Sequence, residues 1–410
     1  MLHRLGFPSI GRHRRFVTAI AVDAVGSGVF MPLAMLYFLA VTPLTLVQVG
    51  AAISIASAVA LPAGPVIGSL VDRYGAKRLL LAGNALQAVG YAAYLFTQSF
   101  TGVLLWTIVV TVGRTAFWGS YGNIVAAIAQ PGEREKWFGF LGALRNVGFA
   151  IGGLAAGLAL TIGTRIAFDS VVAVNAISYV AALLLLLAVP ETRPGHAPAL
   201  PGTWGTVLAD AHYRLLVLNQ LGYSLSMMVL NFAIPVYAVT MLGLPGWLTG
   251  AVFTLNTVMV GFGQGLVVKG MTGRVRWRIL VVAQISFGLS FVVLWGAGGT
   301  TPWMATTLVL LGGIVYTGGE LLGGPVLGAL SADAAPPELR GRYLALIQLA
   351  WNIAGMVAPV AFAWLLDRGT ADLWVVLLVT TGLSLVAAVR LGARLPHAAL
   401  PVTNRATAGA

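Results

Sequence analysis

Long apolar runs alternate with short polar breaks along almost the whole chain. Taking about 20 residues as one crossing of a bilayer, the runs predict helices near 16–39, 46–70, 79–98, 102–129, 138–163 and 168–189. A second set follows near 214–241, 247–269, 279–297, 303–331, 342–366 and 372–394. The runs are too long and unbroken for barrel strands, which are short and alternate apolar with polar positions. The expected fold is therefore an all-α membrane protein of twelve transmembrane helices in two pseudo-symmetric six-helix halves. One long polar stretch rich in Pro and Gly interrupts the pattern. It divides the chain into an N-terminal half (1–190), a linker (191–213) and a C-terminal half with a short tail (214–410). Within the linker, Trp204–Asp210 reads as a short helix at the membrane surface.

Composition agrees with a lipid solvent. Hydrophobic residues make up 58% of the 410 and charged residues 9%, against about 25% charged in a soluble domain. The formal charge of +12 is scattered between apolar spans and not gathered on one face, so nucleic acid is not an expected partner. Cysteine is absent, which excludes disulfides and thiolate metal sites. His3, His13, His196, His212 and His397 fall in tails or linker, so no metal and no cofactor is expected. The chain lacks a G-x-x-x-x-G-K-[ST] loop, which argues against ATP as the direct energy source. The apolar run after Phe16 is long enough to span and reads as the first helix, not as a removed signal.

Charge asymmetry tests the layout. One side collects basic residues including Arg4, Arg12, Arg14, Arg73, Lys77, Arg134, Arg193, Arg276, Arg340, Arg394 and Arg405, while the other keeps Arg165 and Arg368. The positive-inside rule then puts both termini in the cytoplasm of a multi-pass plasma-membrane protein. An internal repeat supports two halves. Arg134–Asn146 aligns without gaps to Arg340–Asn352, matching Arg134 to Arg340, Lys136 to Arg342, Trp137 to Tyr343 and Asn146 to Asn352. Parallel six-helix repeats are one transporter architecture.

Residues 68–78 read Gly-Ser-Leu-Val-Asp-Arg-Tyr-Gly-Ala-Lys-Arg, between two apolar spans. Gly68 permits close helix approach, Asp72 is placed to cap a neighbouring helix, and Gly75 permits a tight reversal. Arg73, Lys77 and Arg78 hold the loop on the cytoplasmic side. The spacing G-x-L-x-D-R-x-G-x-K-R resembles the signature loop between the second and third helices of the major facilitator superfamily. Its counterpart at 265–278 is degraded, with Lys269 in place of the acid.

Four ionisable residues fall inside the expected spans, where a charge costs roughly 2.5–3.5 kcal/mol on the mildest scale. Asp23 opens Asp-Ala-Val-Gly-Ser-Gly-Val-Phe-Met-Pro32, which resembles the first-helix motif of the drug:proton antiporter branch. It would bind a proton or a cationic substrate, or else lock a neighbouring helix by an ion pair. Glu320 lies deep in the tenth helix, and the repeat offset of 206 residues pairs it with Arg114 of the fourth. The two are expected to face each other or one ligand, with Glu320 as a protonatable coupling carboxylate; the alternative is a structural salt bridge. The superfamily's fourth helix often carries such an Arg, associated with proton transfer. Arg145 precedes Gly148, Gly152, Gly153 and Gly157, a run that resembles the antiporter motif of helix five, although Gly153 stands where the family has Pro. The alternative there is generic small-residue packing. Tyr37, Phe117, Trp118, Tyr121, Asn219, Tyr223, Asn231, Tyr316 and Trp351 are candidates to line a substrate cavity, since aromatics with a few amides suit an amphipathic ligand.

The resemblance implies a secondary transporter that exports small amphipathic molecules by proton antiport and alternating access. The expected partners are a small-molecule substrate, protons and the lipid bilayer, and the expected state is a monomer. One charge crossing ~100 mV supplies about 2.3 kcal/mol and one pH unit about 1.4 kcal/mol, enough for a gradient of several hundredfold. A proton-coupled importer of a sugar or other metabolite is the rival on the same fold. A non-transporting receptor or assembly partner is the rival from another class. No nucleophile–base pair marks an enzyme.

Overall fold

The computed structural model describes residues 8–130, 132–189 and 203–403. Arg4, Arg193 and Arg405 of the charge pattern, and residues 191–202 of the expected linker, lie outside them. The described chain is helical. α1 (Arg14–Phe30) passes through a 3-10 turn at Met31–Leu33 into α2 (Ala34–Val41). α3 (Leu46–Ala60) and α4 (Ala63–Tyr74) follow, then α5 (Ala76–Tyr94), α6 (Phe100–Ile128), α7 (Arg134–Ile162) and α8 (Arg165–Leu187). Next come a short α9 (Trp204–Ala209), α10 (Ala211–Met228) and the brief α11 (Ile234–Val236), which lies between π-helical turns. α12 (Trp247–Gly270), α13 (Arg276–Gly296), α14 (Pro302–Asp333), α15 (Arg340–Arg368), α16 (Thr370–Arg394) and α17 (Pro396–Ala399) complete the order.

Among the described residues nine helices are long and apolar enough to cross a membrane. Two bent pairs, α1 with α2 at 53° and α3 with α4 at 44°, also pass when each is taken as one span. α5 is not in that set; Lys77 and Arg78 in its first turn, with Asn84 and Gln87, dilute its apolar character. Most helices start a few residues before the apolar runs do, because polar residues there fold into the first turn or cap it. Ser99 and Thr164 accept from the amides three residues on, and Asp210 caps α10 through the His212 and Tyr213 amides; such caps satisfy orphan N–H groups.

The sequence repeat has a structural counterpart. α7 and α15 are both 29 residues long and begin at the repeat-related Arg134 and Arg340. The residues just before them, Glu133 and Leu339, share nearly the same backbone angles. Buried apolar residues gather in clusters confined either to positions 10–189 or to positions 204–402. The two sets of helices meet where α4 packs on α15, and α7 on α12 and α14.

Candidate functional site

Small residues bring α1 and α7 together. A Cβ added at Gly28 would meet the Phe149 backbone, one at Gly148 would meet Ala24, and one at Gly152 would press into the backbone of Val25, Gly28 and Val29. Only residues without side chains allow that approach, the packing logic of small residues spaced by four. Gly153 and Gly157 play no part in it, since a methyl added at either meets no atom within 4 Å. The approach sets Asp23 of α1 against Arg145 of α7: Arg145 Nη1 donates to Asp23 Oδ2 at 2.7 Å, with both side chains buried. The Arg145 guanidinium also lies over the rings of Trp118 (4.4 Å), Phe149 (5.1 Å) and Phe117 (5.7 Å), contacts favoured by the ring quadrupole. Asp23 therefore occupies the helix-locking position.

Beside this pair lies a cavity of about 160 Å³, walled by α1, α2, α3, α5, α6, α7 and α8. Arg114, Phe117 and Trp118 line it from α6, Tyr91 and Tyr94 from α5, and Tyr179 from α8. Of the expected cavity residues, Phe117 and Trp118 are there. The others are not, and each has a local reason. Tyr37 is buried and donates to the Tyr94 carbonyl and to Asp169. Tyr121 packs against Phe117 and Trp118 from outside the lining set. Asn219 donates to the Ser384 carbonyl, and Tyr316 to the Met227 carbonyl. Tyr223 stands between Phe287 and Trp351, edge-on to both. Asn231 is exposed and bonds back to Met227 of the preceding turn. Aromatic and amide positions in a bundle serve helix contacts as readily as cavities, and residue type alone does not separate the two.

Glu320 and Arg114 do not meet. Glu320 is buried in α14, where Asn256 Nδ2 of α12 donates to its Oε2 at 2.6 Å and to Thr317 Oγ1 at 3.2 Å. Tyr223 donates to the Glu320 carbonyl at 3.4 Å. Among the described residues no cation forms an ion pair with Glu320. Arg114 instead shares its cavity with Asp23 and Arg145. Equivalent positions in two repeats need not approach each other, since each side chain leans on its own half's neighbours.

The hinge is bonded across the two sets of helices. Asp72 Oδ1 accepts from the Gly341 amide at 2.6 Å, and Oδ2 accepts from the Arg342 amide at 3.3 Å, at the start of α15. Gly68 abuts Ala345 and the Gly341 carbonyl. Gly75 has φ 88, the left-handed region that glycine enters without strain. Lys77 Nζ donates to the Leu187 and Val189 carbonyls, tying α5 to the end of α8. Arg73 lies over the Tyr74 ring at 5.2 Å, and Arg78 occupies the first turn of α5.

The same end carries a cluster that sequence reasoning missed. Arg276 of α13 pairs with Glu135 of α7 at 2.6 Å and with Asp333 of α14 at 2.8 Å, and Arg134 pairs with Asp333. Glu135 is fully buried. Residues 397–403 close over this cluster: Val275 and Pro401 form an antiparallel bridge, Arg276 Nη1 donates to the His397 carbonyl, and Thr403 Oγ1 donates to the Gly132 carbonyl. The acids sat hidden among basic loop residues; the signal was Glu135 between Arg134 and Lys136. Burial, then the Arg276 and Arg134 charges, push the His397 imidazole below its ordinary range.

Comparison with known proteins agrees with this architecture. The family model described as Major Facilitator Superfamily matches residues 16–319. The chain is 26% identical over 381 residues to the class G tetracycline resistance protein of Vibrio anguillarum, covering 87% of this chain and 90% of that one. It is 26% identical over 315 residues to the multidrug resistance protein MdtH of Aeromonas salmonicida, covering 74% and 75%. Among solved structures, a bacterial homologue of the iron transporter ferroportin in an outward-facing state superposes with a TM-score of 0.76 at 18% identity, covering 93% of this chain and 99% of that one. The proton:xylose symporter XylE gives 0.67 at 14% identity, covering 93% and 95%. At these identities the solved structures speak to the fold.

Proposed function

The chain belongs to the Major Facilitator Superfamily, and we propose on that premise that it is a proton-coupled exporter of small amphipathic molecules across the plasma membrane. Glu320 is the observation that carries the coupling. It is a buried carboxyl inside a membrane-length helix, with an amide as its donor and, among the described residues, no cation in an ion pair with it. A charge buried without a partner is costly, and intramembrane ionisable residues mark transport and proton pathways by default. Asp23 is the second carboxyl on the path, and a proton on it would release Arg145 from the pair.

Counting α5 with the nine helices and two bent pairs brings the spans to twelve, and the segregated apolar clusters support two halves. Arg15 bonds to the Ala188 carbonyl beside Lys77, and Thr403 to the Gly132 carbonyl beside the Arg134 and Arg276 cluster; on the positive-inside rule we read that basic end as the cytoplasmic one. In this reading the two halves rock against each other and expose the cavity, which lies within the first half, to either side in turn. The Asp72 bonds and the Arg276 cluster hold the cytoplasmic end shut, and their release admits cargo from within. Proton uptake at Glu320 or Asp23 from outside accompanies cargo release, and proton loss inside resets the site. One chain holds every part, so a monomer suffices. The relatives named for tetracycline and multidrug resistance support outward movement of drug-like cargo.

Accumulation of a panel of fluorescent dyes in an efflux-deficient bacterial host tests this. Expression lowers the accumulation of at least one dye, and an uncoupler restores it. Uptake that rises with an inward proton gradient would instead favour the importer.

A further inference from the structure

The charge balance of the cavity narrows the cargo. Three charged side chains line it: Asp23, Arg145 and Arg114. Asp23 and Arg145 neutralise each other at 2.7 Å, and Arg145 is further covered by Trp118, Phe149 and Phe117. Arg114 is different. It is exposed, and it lines the space beside Phe117 and Trp118 of its own helix. Among the described residues no carboxylate forms an ion pair with it. Glu320 does not neutralise it either, being held by Asn256 outside the lining. The described lining therefore carries one uncompensated positive charge.

The rest of the wall is aromatic, with Phe38, Tyr91, Tyr94, Phe117, Trp118 and Tyr179 around the space. A volume of about 160 Å³ is comparable with the ~150 Å³ engineered cavity that admits benzene in another protein. An aromatic ring fits such a space face-to-edge against these side chains. A cationic guest would add to the unbalanced charge. A neutral guest would leave the Arg114 charge without a counter-ion. A planar anion answers both, because the guanidinium fork matches a carboxylate at two points. Thr111, one turn before Arg114, and Gln87 add polar groups to the same wall.

We infer that the cavity takes an aromatic carboxylate, with the ring among the tyrosines and the carboxylate on Arg114. The assignment rests on the reading of this cavity as the cargo site. Three probes of one shape and different charge test it: benzoate, benzamide and benzamidine, titrated by calorimetry into the purified full-length protein. Benzoate binds about tenfold or more tightly than benzamide, and benzamidine more weakly than either. Arg114→Gln brings benzoate down to the affinity of benzamide while benzamide binding is retained, which shows that the variant is folded; Arg114→Lys keeps part of the preference. Binding of benzamidine equal to or tighter than benzoate, a benzoate preference unchanged in Arg114→Gln, or binding of none of the three overturns the assignment. Transport of the same probes into proteoliposomes separates the two claims. If benzamidine crosses and benzoate does not, transport stands and the anion assignment falls. If binding follows the expected charge order but nothing crosses, the anion site stands and the transport reading falls.

Discussion

The Asp72 carboxylate caps the start of α15 through the amides of Gly341 and Arg342. Those residues lie in different sets of helices, so one side chain joins α4 of the first to α15 of the second. A carboxylate at a helix N-terminus also faces the positive end of the helix dipole. The bond can persist only while α4 and α15 stay together at this end, which makes it a candidate control on how often that end opens.

Asp72→Asn keeps the shape and removes the charge. A hydrogen bond to a charged group contributes about 1.5–3 kcal/mol, so the closed-to-open equilibrium constant should fall by roughly tenfold or more while expression stays largely intact. Distance measurements between spin labels on α4 and α15 read that population directly, and dye extrusion should fall with it. An unchanged distance distribution would remove Asp72 from this role.

The Arg276 cluster should be costly to break by halves. Arg276→Met leaves Glu135 buried without its closest cation, and removing one partner of a buried pair costs about 3–5 kcal/mol. Thermal unfolding in detergent should show a clear drop for Arg276→Met. The double variant Arg276→Met with Glu135→Leu should recover most of it, since a buried pair replaced by apolar residues is often neutral. A double variant no better than the single one would show that Glu135 is not the group left stranded.

His397 makes docking of the 397–403 segment depend on pH. The docked imidazole binds its proton less readily than a free one, first from burial and then from Arg276 and Arg134. The released tail therefore binds more protons, so docking stability rises with pH. It is fully present above the ordinary histidine value near 6.5 and declines as the pH falls from there toward the lowered docked value. Spin labels at Ala399 and Glu133 should show the docked distance losing population through that window. His397→Asn should flatten the dependence; a wild-type population that does not change with pH would contradict it.

The parts of this protein legible in the sequence are those set by periodicity and by backbone constraint. Apolar runs mark the helices because lipid leaves no other way to satisfy the backbone. Gly75 and Asp72 are legible because a left-handed residue and a capping carboxylate have few substitutes. Side-chain partnership was harder to read. Asp23 and Arg145 were each conspicuous as intramembrane charges, but their pairing depends on the Gly28, Gly148 and Gly152 approach, which spacing alone does not orient. Arg114 and Glu320 correspond by the repeat, but correspondence does not make two side chains an ion pair: Glu320 bonds Asn256 and Arg114 lines the cavity. The cavity residues Tyr91, Tyr94 and Tyr179 carry no motif, and only the packing of α8 against both α1 and α5 brings them to one space.

As the proposed coupling carboxyl, Glu320 should be required for proton movement. Proton movement induced by a transported dye in proteoliposomes, followed with an internal pH indicator, tests it most directly. The wild type should move protons when dye is added. Glu320→Gln, which keeps the side-chain shape but cannot gain or lose a proton, should bind dye and move none, while Asp23→Asn should retain at least part of the signal. Normal proton exchange in Glu320→Gln together with its loss in Asp23→Asn would transfer the coupling to α1, and normal exchange in both would contradict the carboxylate mechanism.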